Sequence, residues 1–493
     1  MRTKFILAIL SLIPAYSILT AQAKGDNPPD YLEYVKVSAD NLLKHGTDRY
    51  GTRKTTIWAS VIDTRDYSVP EYGVPATEGV RSHDRAQGGG NLYHDVTTLK
   101  VFHALSDLLE TDTYQKAVSA YLSDYLEFAQ SPYNGLLGWG EHLYYHFYRD
   151  SVMLDEERAD NRGSNYYPHE FLGSTPPWGL LWDSDADRTA RAIEGLQYHY
   201  NGPDPKVYLF TRHANYYKAE YQDYVMPWIK HTGLYAYSYA FLYNKTGDAN
   251  ALYWSRETGN LYWKLRDPET NLTLSCLFHG SEASSGKKSS IGGTSKLAYW
   301  LYKSYKLTGD PDQRMKALNL MLALDKYHWN NVEKKYYGSL PVDGSVDEES
   351  KLSTAWKIGY GSTSVLNFGR VAVYLAAQEE NPGFLIMAKR NASILNQEEL
   401  PNEFTAENIA DAMNINLDLF DLTADREYLN AAQVFAGKAI DELWKNGLFA
   451  RQSGGDPYYE AKLGIGDLLA AFLRLHMSLH PEMSLTNNYD WSF

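Results

Sequence analysis

The sequence predicts an all-α fold, an (α/α)6 toroid of six helical hairpins with short β returns on one rim. Three observations lead to this prediction. Amphipathic helical segments recur in pairs, a short polar turn with Asp or Asn joins the two members, and a short apolar segment with Gly or Asn follows each pair. Such pairs can bury their apolar faces only against neighbouring pairs, and a ring leaves no pair uncovered.

Six polar turns mark the hairpins. Four of them combine Thr with Asp, at residues 110–112, 245–248, 307–310 and 422–425. In such a turn Thr or Gly ends one helix and Asp caps the next. Less regular copies lie at 183–187 and 379–382. The cap positions, separated by 73, 63, 62, 71 and 44 residues, are Asp112, Asp185, Asp248, Asp310, Asn381 and Asp425.

The ends of the chain are predicted to differ in role. Residues 1–23 have a basic start, a short apolar core and the ending Ala21-Gln22-Ala23, which together predict a signal peptide. Residues 24–493 show no linker or change of composition, so we expect one domain, with helices at 31–44 and 464–480, the latter closing the ring. Cys276 is the single cysteine, which fits export to a bacterial periplasm without disulfides.

The composition limits the partners. The formal charge is −14, and losing Arg2 and Lys4 with the leader would make it −16, so nucleic acid is not expected as a partner. No apolar run outside the leader is long enough to span a membrane. The 41 Tyr, 12 Trp and 16 Phe fit either a large core or a carbohydrate cleft. The sequence leaves the oligomeric state open.

The stretch at residues 134–142 is the centre of the functional hypothesis, because it brings Trp139, Glu141 and His142 together at a predicted rim. A carboxylic acid beside an aromatic ring and an imidazole is typical of a sugar-cleaving site. Other predicted rim segments carry further reactive groups, and the candidate catalytic residues are Glu141, Glu170, His142, His169 and His213. Glu141 and Glu170 are the preferred acid and base pair, since glycoside hydrolysis uses two carboxyl groups.

The predicted returns to the rim lie at residues 135–138, 271–278, 336–340 and 447–450, and a Gly-rich segment at 51–90 is expected to cross the barrel mouth. Two metal-like patterns are weak. Residues 183–194 resemble a calcium loop, but Arg188 replaces the required Gly, so an Asp-rich helix start explains them better. Glu141, His142 and His146 lack the usual zinc spacing. The sequence therefore predicts no metal and no cofactor.

The hairpins, the stretch Gly-Leu-Leu-Gly-Trp-Gly-Glu-His at 135–142, His169-Glu170 and Arg212-His213 resemble six-hairpin carbohydrate-active enzymes. The nearest resemblance is to glycoside hydrolase family 154, over residues 58–480. It implies an exo-acting, β-glucuronidase-like hydrolase that releases terminal uronic acid from plant or host glycans. The assignment of Glu141 and Glu170 as the catalytic pair comes from the rim pattern and not from the resemblance.

A substrate containing uronic acid would need cations for its carboxylate, and a guanidinium binds a carboxylate at two points. Aromatic and hydroxyl groups would contact the sugar ring. The candidate substrate-binding residues are therefore Arg85, Trp139, Arg212, Tyr216, Arg451 and Tyr458.

Two other functions stay open. A polysaccharide lyase on the same toroid would use His or Tyr to move protons and Arg or Asn to neutralise the uronate, and residues 212–216 supply all of these types. A glycan-binding protein without catalysis would use only the aromatic groove.

Overall fold

The computed structural model describes residues 29–77, 80–81, 84–154, 167–171, 173–277, 287–356, 364–483, 485 and 491, so the predicted leader lies outside the described residues. Within these ranges there are fourteen α-helices: α1 (Tyr31–Asn41), α2 (Leu92–Leu108), α3 (Thr113–Phe128), α4 (Trp178–Ser184), α5 (Ala186–Glu194), α6 (Ile229–Thr246), α7 (Ala249–Lys264), α8 (Ile291–Thr308), α9 (Pro311–His328), α10 (Leu366–Ala376), α11 (Pro382–Gln397), α12 (Ala406–Thr423), α13 (Arg426–Leu443) and α14 (Ile465–Leu479).

The fold is a toroid of helical hairpins, as predicted. The six hairpins are α2/α3, α4/α5, α6/α7, α8/α9, α10/α11 and α12/α13. The first helices pack side by side in the order α6, α8, α10, α12, α14 and α2. The short α4 packs on α3, and its Trp178 donates a hydrogen bond to Ser238 of α6 at 3.0 Å. A seventh pair, α1 and α14, closes the ring. The two helices come from opposite ends of Tyr31–Phe493, which is one compact unit.

Helix caps explain why the hairpins turn where the sequence predicts. The side chains that accept a hydrogen bond from the first turn of the following helix are Asp185, Asp248, Asp310, Asn381 and Asp425. Gly247 and Gly309 end α6 and α8 with φ of 72°, a conformation that favours glycine. The prediction is wrong at Asp112, whose side chain makes no capping hydrogen bond.

Short strands connect the hairpins. They are β1 (Val61–Asp63), β2 (Gly89–Gly90), β3 (Leu143–His146), β4 (Ser151–Leu154), β5 (Pro168–Glu170), β6 (His213–Asn215), β7 (Lys288–Ser290), β8 (Trp329–Asn330), β9 (Lys335–Tyr336), β10 (Ser339–Pro341), β11 (Trp444–Lys445), β12 (Leu448–Phe449) and β13 (Tyr458–Glu460). They form the three-stranded sheet β2-β3-β4 and the antiparallel pairs β1/β13, β5/β6, β7/β10, β8/β9 and β11/β12.

The predicted returns are shorter than expected. Within 135–138 the structure has only a bridge from Leu137 to Gln130, and within 271–277 only one from Cys276 to Trp228. The returns at 336–340 and 447–450 contain parts of β9, β10 and β12. In the described ranges, no helix combines the length and the apolar character needed to cross a bilayer.

Candidate active site

The pairing of β5 with β6 builds the centre of the site. Glu170 lies opposite His213 in the antiparallel register, so both side chains point to the same face. His142, just before β3, approaches through Gly140. This glycine has φ of 101°, and a Cβ atom there would lie 2.0 Å from the carbonyl oxygen of Glu170. Only glycine allows the two segments to come so close.

Glu170 is the hub of the site. Its Oε2 lies 3.1 Å from Nε2 of His142 and 3.3 Å from Nε2 of His213. Its Oε1 lies 3.5 Å from Nη1 of Arg212 and 3.8 Å from Nε2 of His231. The glutamate and the three histidines are buried, whereas the Arg212 side chain is 25% exposed. Four basic side chains therefore surround one buried carboxylate.

Burial and charge set the protonation of this hub. Burial alone raises the pKa of Glu170, but hydrogen bonds from His142 and His213 outweigh it and keep the pKa well below the usual value. Burial lowers the pKa of His213 to about 4, although the negative Glu170 opposes this. Near neutral pH the site therefore contains a carboxylate beside a neutral imidazole of His213.

A second layer lies behind His142. Its Nδ1 is 3.5 Å from Oδ1 of Asp84. Burial raises the pKa of Asp84, but the opposite effect of His142, Lys462 and Arg81 is larger. The net pKa lies below the usual value, so Asp84 stays ionised. Arg81 donates from Nε to Oδ2 of Asp84 at 2.5 Å, and Lys462 donates to its backbone oxygen at 2.6 Å. This ionised carboxylate fixes which nitrogen of His142 faces Glu170.

Glu141 lies at the edge of the same group. Its Oε2 is 3.2 Å from Nη2 of Arg81 and 3.9 Å from Nε2 of His142. Burial, and then the negative charge of Glu170, raise the pKa of Glu141. The two glutamates that the sequence pairs are thus brought to one site, in very different electrostatic surroundings.

The arrangement of His142, Glu170 and His213 fits a metal ion. One ligand atom from each lies within 4.8 Å of the others, and two imidazoles with a carboxylate suit divalent transition metals. Among the described residues, Oε1 of Glu170 is buried without a hydrogen-bond partner. Asp84 stands behind His142 as second-layer carboxylates do behind metal-binding histidines.

The predicted absence of a metal is therefore not supported by the geometry. The ligand candidates lie 28 and 43 residues apart in sequence, and only the β5/β6 register and the Gly140 approach join them. Asp185 caps α5, in line with the Asp-rich helix start expected there. His146 turns its Nε2 toward the hydroxyl of Tyr72 at 3.4 Å, whereas Glu141 and His142 form with Asp84 a second group whose ligand atoms lie within 4.8 Å of one another.

His169 is corrected from catalytic to supporting. It lies on the face of β5 opposite to Glu170 and is fully buried. Its Nδ1 is 2.7 Å from Nε2 of His199, whose Nδ1 lies 3.1 Å from the carbonyl oxygen of Thr211. Burial lowers the pKa of His199 to about 3, so this pair is neutral and links β5, through His169, to Thr211 in the segment before β6.

Arg85 and Arg451 are corrected as well, because both are buried and paired inside the protein. Arg85 binds Glu460 at two points, at 2.7 and 2.9 Å. Arg451 binds the same carboxylate at 2.7 Å and Asp456 at 2.8 Å. The ion pair of Arg85 with Glu460 attaches the segment at 51–90 to β13, and neither guanidinium is available to a substrate.

The three aromatic candidates do not form a sugar platform either. Trp139 is fully buried, with its ring centroid 5.3 Å from that of Tyr93. Tyr216 is buried and donates its hydroxyl to the carbonyl oxygen of Ala129 at 3.1 Å. Tyr458 lies under Arg451, whose guanidinium carbon is 5.2 Å from the ring centroid.

Several site residues were missed by the sequence analysis: Arg81, Asp84, His199, His231 and Lys462. Asp84 and Arg81 lie in a Gly-rich segment that has no regular pattern. His231 lies in the first turn of α6, and a single histidine in a helix is usually interpreted as a core residue. Lys462 comes from the far end of the chain, and no local signal connects it to Asp84.

A family model described as periplasmic pectate lyase matches residues 83–288 of this chain. The matched part is less than half of the 493 residues, and it contains Asp84, Glu141, His142, Glu170, Arg212, His213 and His231.

Solved structures resemble the whole ring at low identity. A D-mannose isomerase has a TM-score of 0.49 at 9% identity, with 91% of this chain and 97% of that chain covered. A glycoside hydrolase family 76 mannosidase from Bacteroides thetaiotaomicron has a TM-score of 0.48 at 10% identity, with 92% and 100% covered. A cellobiose 2-epimerase from Bacillus thermoamylovorans has 0.46 at 10%, with 90% and 98% covered. The resemblance to family 154 stays a prediction.

Proposed function

We propose that this protein is a polysaccharide lyase that cleaves uronate-containing glycans by β-elimination at the cluster of His142, Glu170, Arg212 and His213. The observation that carries the proposal is the buried Glu170, held by two histidines and flanked by an arginine that is 25% exposed. The match of residues 83–288 to a periplasmic pectate lyase model supports the same reaction class.

The hydrolase hypothesis is weaker, although it could use Glu141 and Glu170 as an acid and base pair. Glu141, whose pKa is raised, has the property of a general acid, and Glu170, whose pKa lies well below the usual value, would have to activate water. The Oε2 of Glu170 instead lies beside two histidines, and the carboxylate is buried. Glu170 is better suited to binding a cation than to donating a proton.

β-Elimination removes the proton on C5, next to the uronate carboxylate. The electron pair forms a double bond between C4 and C5, and the bond from C4 to the glycosidic oxygen breaks. That oxygen leaves with its electron pair and takes up a proton. The difficult step is the first, since the C5 proton is weakly acidic until the carboxylate is neutralised.

The chain supplies groups for this step. A divalent cation bound by His142, Glu170 and His213 would neutralise the uronate carboxylate. Arg212, beside Oε1 of Glu170 and 25% exposed, can contact the substrate from the cleft side. Among the described residues, Glu141, Arg81 and Arg212 lie at the edge of the cluster, with side chains 9%, 31% and 25% exposed, and we assign the transfer of the C5 proton to Glu141 or Arg212. Asp84 keeps His142 oriented.

The proposed partner is an oligo- or polysaccharide of uronic acids such as pectate, and the proposed location is a bacterial periplasm. The signal-like residues 1–23 and the name of the matching family support this location. The exo-acting release of terminal uronic acid, which the sequence suggested, is replaced here by release of an unsaturated product.

The test is product analysis on pectate and on an aryl β-glucuronide, with ultraviolet absorbance and mass recorded together, before and after treatment with a chelator. We expect conjugated absorbance from the polymer and unsaturated products without added water, both lost with the chelator and restored by a divalent transition metal. Saturated uronic acid without absorbance would overturn the lyase and favour the hydrolase.

Matched variants connect the activity to the cluster. His213→Ala should abolish elimination and cation binding, whereas His146→Ala, a buried histidine outside the cluster, should keep both. Glu141→Gln and Arg212→Lys then separate the two groups at the edge. The variant of the residue that accepts the proton should lose turnover rate with little change in KM, whereas loss of a carboxylate-binding group should raise KM.

A further inference from the structure

We propose that the rim carries a carbohydrate-binding platform outside the catalytic cluster, formed by Tyr133, Tyr167 and Tyr217. One sugar ring of a polysaccharide packs its C–H face on the exposed ring of Tyr133, and the other two tyrosines border it. Choosing a polysaccharide of uronic acids as the ligand rests on the proposed function, whereas the exposure and the anchoring of the platform do not.

Tyr133 has the most exposed aromatic ring among the described residues. It is 62% exposed, whereas Trp139 and Tyr216, which do not form a sugar platform, are buried. A sugar can stack only on a ring whose face is open to water, and tyrosine offers such a face together with a polar edge. Tyr133 therefore meets the first requirement for a stacking contact.

Two partly buried rings extend this surface. The ring centroid of Tyr217 lies 6.3 Å from that of Tyr133 and 4.7 Å from that of Tyr167, with interplanar angles of 73° and 88°. The hydroxyl of Tyr217 donates to the carbonyl oxygen of Val152 at 3.2 Å, which holds its ring in place. Single exposed rings are ordinary on protein surfaces, but contiguous apolar surface is typical of binding sites.

The turn that carries Tyr133 is anchored to the chain just after β6. Asn134 donates from Nδ2 to the backbone oxygens of Asn215 and Lys218, at 2.8 and 2.9 Å. The hydroxyl of Ser131 donates to the backbone of the same segment at 2.5 Å. Because the backbone around Tyr133 is already fixed, binding a sugar there loses little conformational entropy.

The same strand pair connects the platform to the catalytic cluster. Tyr167 directly precedes β5 and Glu170 ends it, so their Cα atoms are about 10 Å apart at about 3.3 Å per residue. On β6, the chain runs from His213 through Asn215 to Tyr217. A sugar on the platform would thus lie outside the proposed elimination site, and one extended saccharide chain along the strands can contact both.

Stacking, and not charge, is the contact that the platform offers. Lys218 lies next to Tyr217 in the chain, but its Nζ is 3.5 Å from a carboxylate oxygen of Glu220, and both side chains are more than half exposed. This pair carries no net charge. Binding to the platform should therefore change little with ionic strength, unlike binding through exposed charges.

Affinity electrophoresis of the full-length protein in gels that contain pectate tests the platform, with a chelator present to stop the proposed elimination. Tyr133→Ala should raise the Kd about five- to tenfold, at low and high salt alike, because one stacking contact is lost. Tyr133→Phe keeps the ring and should bind like the wild type. Tyr253→Ala is the control, because it removes a 37% exposed ring on α7, and it should change nothing.

Three results of this experiment would overturn the proposal: no retardation of the wild type by pectate, unchanged binding in Tyr133→Ala, or an equal loss in Tyr133→Phe. The last result would show that the hydroxyl and not the ring face makes the contact.

Kinetics of the cation-loaded protein separate the platform from catalysis. Tyr133→Ala should raise KM for pectate about five- to tenfold at unchanged kcat, and it should change neither constant for the shortest oligogalacturonate that is cleaved. A protein that binds pectate through Tyr133 without cleaving it would refute the lyase and leave the platform standing. A lyase whose KM for pectate is the same in Tyr133→Ala would refute the platform alone.

Discussion

Asp84 lies directly beside His142, one of the three proposed metal ligands. Its carboxylate lies 3.5 Å from Nδ1 of His142, and it is held by Arg81 at 2.5 Å. A carboxylate in this position orients the imidazole and makes its other nitrogen a better ligand. If the cluster binds a metal ion as proposed, Asp84 would influence its reactivity through His142 without being one of the three ligands.

We expect Asp84→Asn to weaken divalent-cation binding by about 10- to 100-fold, with a matching loss of activity at limiting cation. The physical reason is that a neutral amide no longer fixes the His142 ring or increases its basicity. Titration calorimetry measures the cation affinity of protein from which a chelator has removed divalent cations. Asp456→Asn is the control, since Asp456 also pairs with a buried arginine but lies away from the cluster. Unchanged cation affinity in Asp84→Asn would refute the role.

Single residues were predictable from the sequence where the chemistry is local. Glu141, His142, Glu170, Arg212 and His213 were all selected, because reactive side chains near glycines at a rim are informative. Their roles were not predictable, since a role depends on which groups face each other across strands.

The arginines show the limit most clearly. Arg85 and Arg212 look alike in sequence, yet Arg85 is buried against Glu460, 375 residues away. Only the fold decides that Arg85 is fully buried in its ion pair, whereas Arg212 stays 25% exposed beside Glu170.

At the level of elements, the β5 strand and the segment before β3 depend on Gly140. With φ of 101° and a Cβ position 2.0 Å from the Glu170 carbonyl oxygen, Gly140→Ala should destabilise the fold by about 2–4 kcal/mol. Gly437→Ala in the middle of α13, where a Cβ meets nothing within 4 Å, should instead stabilise it by about 0.5–1 kcal/mol. Urea unfolding of both variants checks the pair, and equal effects would contradict the argument.

A second prediction concerns the packing of α2 on α3. Burial raises the pKa of Asp95 to about 8, although Tyr121 donates a hydrogen bond to it at 2.8 Å. The folded protein therefore keeps this proton at pH values where the unfolded chain has lost it. The contribution of Asp95 to stability is complete below about pH 4, the ordinary pKa of an aspartic acid, and is lost as the pH rises through about 8.

Asp95→Asn should remove this dependence, so that its free energy of unfolding falls less steeply than that of the wild type between about pH 5 and 8. Urea unfolding at several pH values measures the two slopes. Asp112→Asn, which changes an exposed carboxylate at the start of α3, should keep the slope of the wild type. Identical slopes for Asp95→Asn and the wild type would rule the explanation out.

The elements themselves were largely predictable, because caps and turns are encoded within a few residues. Asp248 and Asp310 follow glycines and cap their helices as the sequence indicates. Asp112 was misjudged because Glu110, with φ of 50°, and Thr111 form a different turn in front of it. The short strands were poorly predicted, since two or three residues carry too little periodicity.

At the scale of the whole molecule, the ring is completed by helices from the two ends of the described unit. The six hairpins could be counted from the turns, and the last helix was expected to close the ring. That α1 would pack on α14 could not be read from the sequence, because no turn connects them. Their contact joins residues more than 400 positions apart, and apolar faces of both helices meet there.

Phe472 of α14 lies at the centre of this closure. It is fully buried, with ring centroids 5.6 Å from Tyr31, 6.1 Å from Tyr34 and 5.0 Å from Phe449. Phe472→Ala should cost about 3–5 kcal/mol, because it removes a buried ring and leaves a cavity between α1 and α14. Phe435→Ala, at a partly buried ring on α13, should cost less.

The form of the transition tests whether the ring is one cooperative structure. If closure stabilises every hairpin, Phe472→Ala lowers the Tm of the whole protein in a single calorimetric transition, and the cation-binding cluster is lost at the same temperature. If α1 merely covers a finished ring, the variant exposes residues 31–41 to protease while the main transition stays where it was. The second result would contradict the view that both ends of the unit hold the toroid closed. It would mean that α1 can separate from α14 while the six hairpins stay folded.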